Sequence, residues 1–199
     1  MRITHLFVPA IAATLILSAC GGGDPPPPPT PGGPTQAEID ARNDSIAAAR
    51  AAEQARAAAE RDAQRREQDR MNRERDQARA TLEAVVQFEY DESDITTAGE
   101  RLLRAKLPIL RSSPTVRLRL EGHADERGST EYNLALGSRR AESVRDFLSG
   151  FGISADRFTT TSFGEERPAV NRSDESAWAQ NRRVEFVITG GQIVVSEDD

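Results

Sequence analysis

The chain has 199 residues, of which 37% are apolar and 29% charged, enough for one or two domains; between its apolar start and about residue 80 large apolar side chains are nearly absent, so the core comes from the remainder. With 32 Asp and Glu against 26 Lys and Arg, the net charge of −6 does not suit a polyanion binder, and no nucleic-acid partner is expected. One cysteine, Cys20, and two histidines, His5 and His123, exclude an internal disulfide, a thiol redox pair and a multi-cysteine metal centre, and a zinc hydrolase site would need heavy carboxylate use; no metal or cofactor is expected.

The first 19 residues read as an export address. Met1-Arg2 is a positive start, Leu6 to Leu17 is an apolar run of twelve residues, too short to span a bilayer, and small residues follow. The run ends Leu17-Ser18-Ala19-Cys20, which resembles a bacterial lipobox and implies lipidation at Cys20. Several acyl chains hold a protein to a membrane stably, each buried methylene adding about 0.8 kcal/mol. Residues 20–35 then form a Pro/Gly-rich linker with five consecutive prolines, Pro25 to Pro29, a semi-extended spacer.

Thr35 to Ala98 holds neither Gly nor Pro, and residues 36–83 are dominated by Ala, Arg, Glu, Gln and Asp. One long helix is expected there, reaching roughly 70 Å at the usual rise per residue. Opposite charges recur four apart, as in Glu38/Arg42, Asp62/Arg66 and Asp69/Arg73. Its apolar anchors are sparse (Ile39, Ile46, Met71 and Leu82), so a solvated single-helix stalk and a coiled-coil dimer both fit.

A globular domain is expected over residues 84–190, followed by an acidic tail, 191–199. Val85, Val86, Phe88 and Tyr90 predict a first strand, and Thr97-x-x-Glu100 is a capping-box pattern opening a helix with Leu102, Leu103, Leu107 and Leu110, which Pro108 should kink or shorten. Val116, Leu118 and Leu120 alternate with Arg117, Arg119 and Glu121, a half-exposed strand. A second helix is predicted from about Thr130 to Ser149, with Leu134, Ala141, Val144 and Leu148 at helical spacing. Phe158 to Phe163, a short helix near Ala177 and a last strand over Val184 to Ile188 complete an α+β fold with β-α-β-α-β-β order around a mixed sheet.

Chemistry concentrates in Glu121-Gly122-His123-Ala124-Asp125-Glu126-Arg127-Gly128, Tyr132-Asn133 and Leu136 to Ala141. Asp125 falls just beyond a strand and Arg140 within the next helix. Such a pair can grip a zwitterion, carboxylate to ammonium and guanidinium to carboxylate, and it can equally be an ordinary ion pair. Gly122 and Gly128 permit close backbone approach to a ligand, His123 reads as a hydrogen-bonded structural residue, and Trp178 reads as packing over the sheet edge. No Gly-x-Ser-x-Gly elbow, phosphate loop or carboxylate dyad is present, so a binder rather than an enzyme is expected, a cell-wall hydrolase being the alternative class.

These runs, with Phe163-Gly164-Glu165, Pro168 and Asn181-Arg182-Arg183-Val184-Glu185, resemble the OmpA-like peptidoglycan-binding domain family over Val86 to Ile188, about half of the chain. The resemblance implies noncovalent recognition of the diaminopimelate side chain of the peptidoglycan stem peptide, with Asp125 on its ammonium, Arg140 on its carboxylate, and Asn133 and Leu136 lining the site. Phe88, Glu89 and Asp91 match the family's first-strand motif, Glu89 standing where Asp is usual. It further implies outer-membrane attachment on the periplasmic side, with which Gly21 after the cysteine agrees, and, as a second reading, docking to Tol-system periplasmic proteins.

Overall fold

A computed structural model describes residues 32–195; the leader, the lipobox with Cys20, the five prolines and the last four residues lie outside them. The chain divides into two compact units, Met1–Ala55 and Arg56–Asp199. Helix α1 covers Gln36–Glu83, as its composition predicts. Its start is a capping box: the Thr35 backbone N–H donates to Glu38 at 2.7 Å, and the Thr35 hydroxyl accepts from the Glu38 backbone. Glu38 is thus the helix cap rather than the partner of Arg42. Ion pairs on the helix join Arg65 to Asp62 and Arg70 to Glu67 and Glu74, all solvent-exposed, so they support the helix only by tenths of a kcal/mol. No helix among the described residues is long and apolar enough to cross a membrane.

Within the second unit, α1 is followed by β1 (Val86–Gln87), α2 (Thr97–Ser112), β2 (Arg117–His123), α3 (Thr130–Gly150), a 3-10 turn at Ala155–Arg157, β3 (Phe158–Gly164), α4 (Glu175–Asn181) and β4 (Arg183–Gly190). The sheet order is β1-β4-β2-β3. β2 and β3 pair parallel through the α3 crossover, and β4 enters antiparallel between β1 and β2, which gives the mixed sheet expected from the element order. Leu118, Leu120, Val184 and Phe186 face the helices and join Leu103, Leu107, Leu110, Val144 and Leu148 in one core. α3 lies unusually close to β2. A Cβ built on Gly122 would stand 1.9 Å from the Gly137 carbonyl oxygen, so both glycines are required by helix-on-strand packing. Gly122 therefore serves packing rather than the ligand approach its motif suggests.

Three elements differ from expectation. β1 is only two residues long, extended by one bond from the Phe88 N–H to the Arg182 carbonyl, because the chain then turns through Asp91 at φ 58°. Val85 and Tyr90 are consequently exposed. α2 is capped one residue early, Thr96 accepting from the Gly99 N–H, and it runs unshortened past Pro108 to Ser112. Its buried face is Leu103, Lys106, Leu107 and Leu110, with Leu102 left exposed. β2 loses its alternation at its end, where Glu121, Gly122 and His123 are all buried.

Lys106 joins α1 to the domain. Its ammonium is fully buried, donates to the carbonyls of Thr81, Leu82 and Ala84 at 2.8, 2.8 and 2.6 Å, and lies 4.0 Å from the Phe186 ring centroid. These are carbonyls at and just beyond the end of α1, which the helix itself cannot satisfy. Burial pushes the Lys106 pKa down to about 7, while three acceptors, which only an ammonium can bond together, favour the charged form. Ala78 and Leu82 are the buried side chains of α1, so its last turns belong to the core. Deleting residues 36–74 should leave a cooperative unfolding transition, whereas Lys106→Met should lower stability by about 1 to 3 kcal/mol and Leu82→Ala by about 2 to 5 kcal/mol, read from urea midpoints.

Candidate functional site

A cleft with a cavity volume of about 100 Å³ opens where β2 ends and α3 begins. Asp91, Asp125, Asn133, Leu136 and Arg140 line it, five of the six ligand-site residues expected from the sequence, together with Tyr90, Arg127, Gly128 and Tyr132. Phe88, the sixth, does not line it. Its buried ring lies beneath Arg140, 5.4 Å from the guanidinium carbon.

Asp125 is 4% exposed and its carboxylate is densely bonded. Oδ1 accepts from the Arg127 backbone N–H and Nε at 3.1 and 3.0 Å; Oδ2 accepts from Arg127 Nη2 at 2.7 Å and Arg182 Nη1 at 3.2 Å. Burial alone would raise this carboxyl, but the hydrogen bonds from Arg127 and Arg182 outweigh it and hold it below the ordinary carboxylate range. The Arg127 guanidinium carbon lies over two rings, 3.9 Å from the Tyr90 centroid and 4.3 Å from that of Trp178. Trp178 thus belongs to the cleft rim rather than to the sheet edge, with its indole N–H donating to Glu126 at 2.9 Å. Arg182 is held from behind by Glu175 and the Phe88 carbonyl.

Arg140 has no solvent exposure. Nε donates to the Glu92 carbonyl at 2.8 Å, Nη1 to the His123 carbonyl at 2.8 Å and Nη2 to the Glu89 carbonyl at 3.0 Å. Glu89 therefore contributes its backbone rather than its carboxylate. Burial pushes the Arg140 pKa down to about 10, against the attraction of Asp125, which leaves it charged at neutral pH. Of its five N–H donors, three are taken by these carbonyls. No bond joins Asp125 to Arg140; they are separate walls of one cleft rather than an ordinary ion pair.

Local sequence sets the geometry. Gly128 adopts φ 116°, a left-handed conformation that suits glycine, and Ser129 caps α3 by accepting from the Tyr132 N–H at 3.3 Å. Residues 133, 136, 137, 140, 141 and 144 then share the buried face of α3, which turns Asn133 and Arg140 inward. Asn133 donates to the Asp125 carbonyl at 3.1 Å and to Glu165, and the Tyr132 hydroxyl donates to Asp91. His123 is also buried but, against expectation, has no hydrogen bond at either ring nitrogen. The sequence carries no signal for the Arg127 contacts, because residues 90, 127 and 178 converge only in the fold.

Residues 87–182 match the OmpA family. The solved peptidoglycan-associated lipoprotein from Burkholderia pseudomallei is 39% identical, with a TM-score of 0.52, covering 53% of this chain and 89% of that one. The chain belongs to the OmpA family. Peptidoglycan-associated lipoproteins of Haemophilus influenzae and Pseudomonas aeruginosa are 45% and 46% identical over 98 and 109 residues, 49% and 54% of this chain and 64% of each relative. The chain thus spans a little under two thirds of the length of these curated relatives. The C-terminal domain of Helicobacter pylori MotB, 19% identical with a TM-score of 0.50, shares the fold.

Burial of both charges gives their removal a stability cost. Arg140→Ala should lower stability by several kcal/mol, since it leaves three carbonyls without a donor and a cavity over the Phe88 ring. The stability that Asp125 supplies should be complete above about pH 4 and be lost as pH falls further, because its folded-state pKa lies below the unfolded one. In Asp125→Asn the acid limb of a stability-versus-pH curve should be flatter by that contribution.

Proposed function

We propose that this chain is a lipid-anchored outer-membrane protein that binds peptidoglycan noncovalently through the diaminopimelate side chain of the stem peptide, tethering membrane to wall. The observation that carries the reading is one small cleft with a buried carboxylate, Asp125, on one wall and a buried guanidinium, Arg140, on another. The free end of diaminopimelate bears an ammonium and a carboxylate on one carbon, so it can address both walls at once. Names of the relatives at 45% and 46% identity, peptidoglycan-associated lipoprotein, support the same ligand class.

In this reading the ligand ammonium meets Asp125 and its carboxylate takes the Arg140 donors that no carbonyl occupies. Arg127, at 29% exposure, is the Asp125 partner able to give way, whereas Arg182, at 5%, stays as a fixed counter-charge. Leu136 and Tyr90 close on the methylenes of the side chain, and Asn133 holds the Asp125 backbone in place. Anchoring rests on the lipobox ending at Cys20, and the proline run and α1 supply the standoff.

Sedimentation with isolated sacculi tests the binding. The parent chain should pellet; Asp125→Asn, close to isosteric, should lose binding by about 2 to 5 kcal/mol, the range for truncating one side of a buried charge pair. Arg140→Lys should recover only part of what Arg140→Ala loses, because a point charge cannot reproduce the guanidinium fork. A diaminopimelate-containing peptide should compete, and amidation of its side-chain carboxylate should remove most of the competition. Equal pelleting of parent and Asp125→Asn at physiological salt contradicts the clamp. In cells, Cys20→Ser should move the protein out of the membrane fraction; unchanged partition into detergent contradicts the lipid anchor.

A further inference from the structure

The face of the sheet turned away from the helices carries a cluster that the wall-binding reading does not use. Glu121 on β2 and Glu185 on β4 are direct cross-strand partners, and His123 lies two residues along β2 on the same face. One carboxylate oxygen from each Glu and one ring nitrogen of His123 all lie within 4.8 Å of one another. Glu121 and His123 are buried and Glu185 is half-buried, so the cluster has a dry floor and one wet side.

Two features of this cluster are unfavourable as they stand. Like charges directly opposed across an antiparallel pair repel. His123, 1% exposed and stacked on Phe163 at 5.6 Å, has neither ring nitrogen hydrogen-bonded, although buried polar atoms nearly always find a partner. Arg119 and Arg183 relieve the first in part, each bonding Oε1 of the Glu two residues further along its own strand at 2.6 Å. Nothing among the described residues relieves the second. A divalent cation between the three side chains gives the imidazole a partner and bridges the two carboxylates, whose charges Arg119 and Arg183 already offset from outside.

We propose that Glu121, His123 and Glu185 form a binding site for a divalent first-row transition ion of the zinc type, with a water completing the shell on the Glu185 side. One nitrogen and two carboxylate oxygens are donors this ion class accepts, and calcium or magnesium would not select the imidazole. Tetrahedral bonds of about 2.1 Å put donors about 3.4 Å apart, so the side chains need draw together by at most about 1.4 Å. The ion pins the C-terminal end of β2 to β4, the stretch from which Asp125 projects and whose last carbonyl Arg140 holds. Its role is structural. The scarcity of histidine and cysteine in the chain does not prevent it, because carboxylates make up the ligand set.

The test uses the full chain, stripped with a chelator and titrated with zinc chloride alone by equilibrium dialysis and calorimetry, with magnesium chloride as control. One zinc per chain with micromolar or tighter affinity is expected, with a rise in melting temperature in excess zinc and none with magnesium. Glu185→Gln, at a half-buried position, should keep the metal-free melting temperature and sacculus binding of the parent while weakening zinc binding at least tenfold; Glu121→Gln should weaken it similarly. In the parent, zinc should shift the His123 ring resonances. No saturable binding overturns the proposal, as does zinc binding that is undiminished in both Gln variants or leaves the His123 ring unmoved.

Discussion

Arg140 sets a positive charge where water does not reach, and the surrounding backbone is arranged to satisfy it. A desolvated guanidinium is tolerable only if its donors are occupied and a counter-charge stands near. Here the acceptors are backbone carbonyls from two separate segments, Glu89 and Glu92 in the turn after β1 and His123 at the end of β2, while Asp125 supplies the attraction. The side chain thereby fixes the turn through Asp91, the end of β2 and the face of α3 in one arrangement. Both walls of the cleft follow from that arrangement. In the proposed binding mode a ligand carboxylate would meet a donor whose direction is already fixed, so little further ordering would be needed.

The second constraint is steric. Gly122 and Gly137 bring α3 so close to β2 that the start of the helix, with Asn133 and Leu136, sits over the residues that follow the strand. Replacing either glycine would lift the helix and open the cleft without touching a charge. Lys106 does for α1 what Arg140 does for the turn, tying otherwise unsatisfied carbonyls to a buried cation. In both places a long basic side chain on the inner face of a helix holds backbone that has no regular partner.

Much of this was legible in the sequence, and the misses have physical causes. The long helix follows from composition and the parallel crossover from the element order, whereas the lining residues of the cleft follow from the resemblance to the OmpA-like family; the antiparallel entry of β4 between β1 and β2 is visible only in the fold. The sequence suggests a longer β1 because Tyr90 continues the two-residue period of Val86 and Phe88 and Val85 is apolar beside them, and periodicity does not register a left-handed turn at Asp91. Lys106 escaped because its charge argues for solvent, although its spacing from Leu103 and Leu110 puts it on the buried face. Arg127 could not be placed from sequence, since its partners Tyr90 and Trp178 lie 37 and 51 positions away. His123 reads as hydrogen-bonded because a buried imidazole usually is, and Glu185 joins Glu121 beside it only through the β2–β4 register.

In the proposed function one cleft reads both charges of a zwitterionic side chain. The most direct measurement of this is a resonance titration of the chain with a soluble diaminopimelate-containing stem peptide, following backbone amides and arginine side-chain N–H groups. Saturable shifts are expected at Ala124 through Gly128, the start of α3, and the Nε and Nη groups of Arg140 and Arg127, and nowhere else. Saturable shifts elsewhere, with the Arg140 side chain unmoved, would contradict this binding mode.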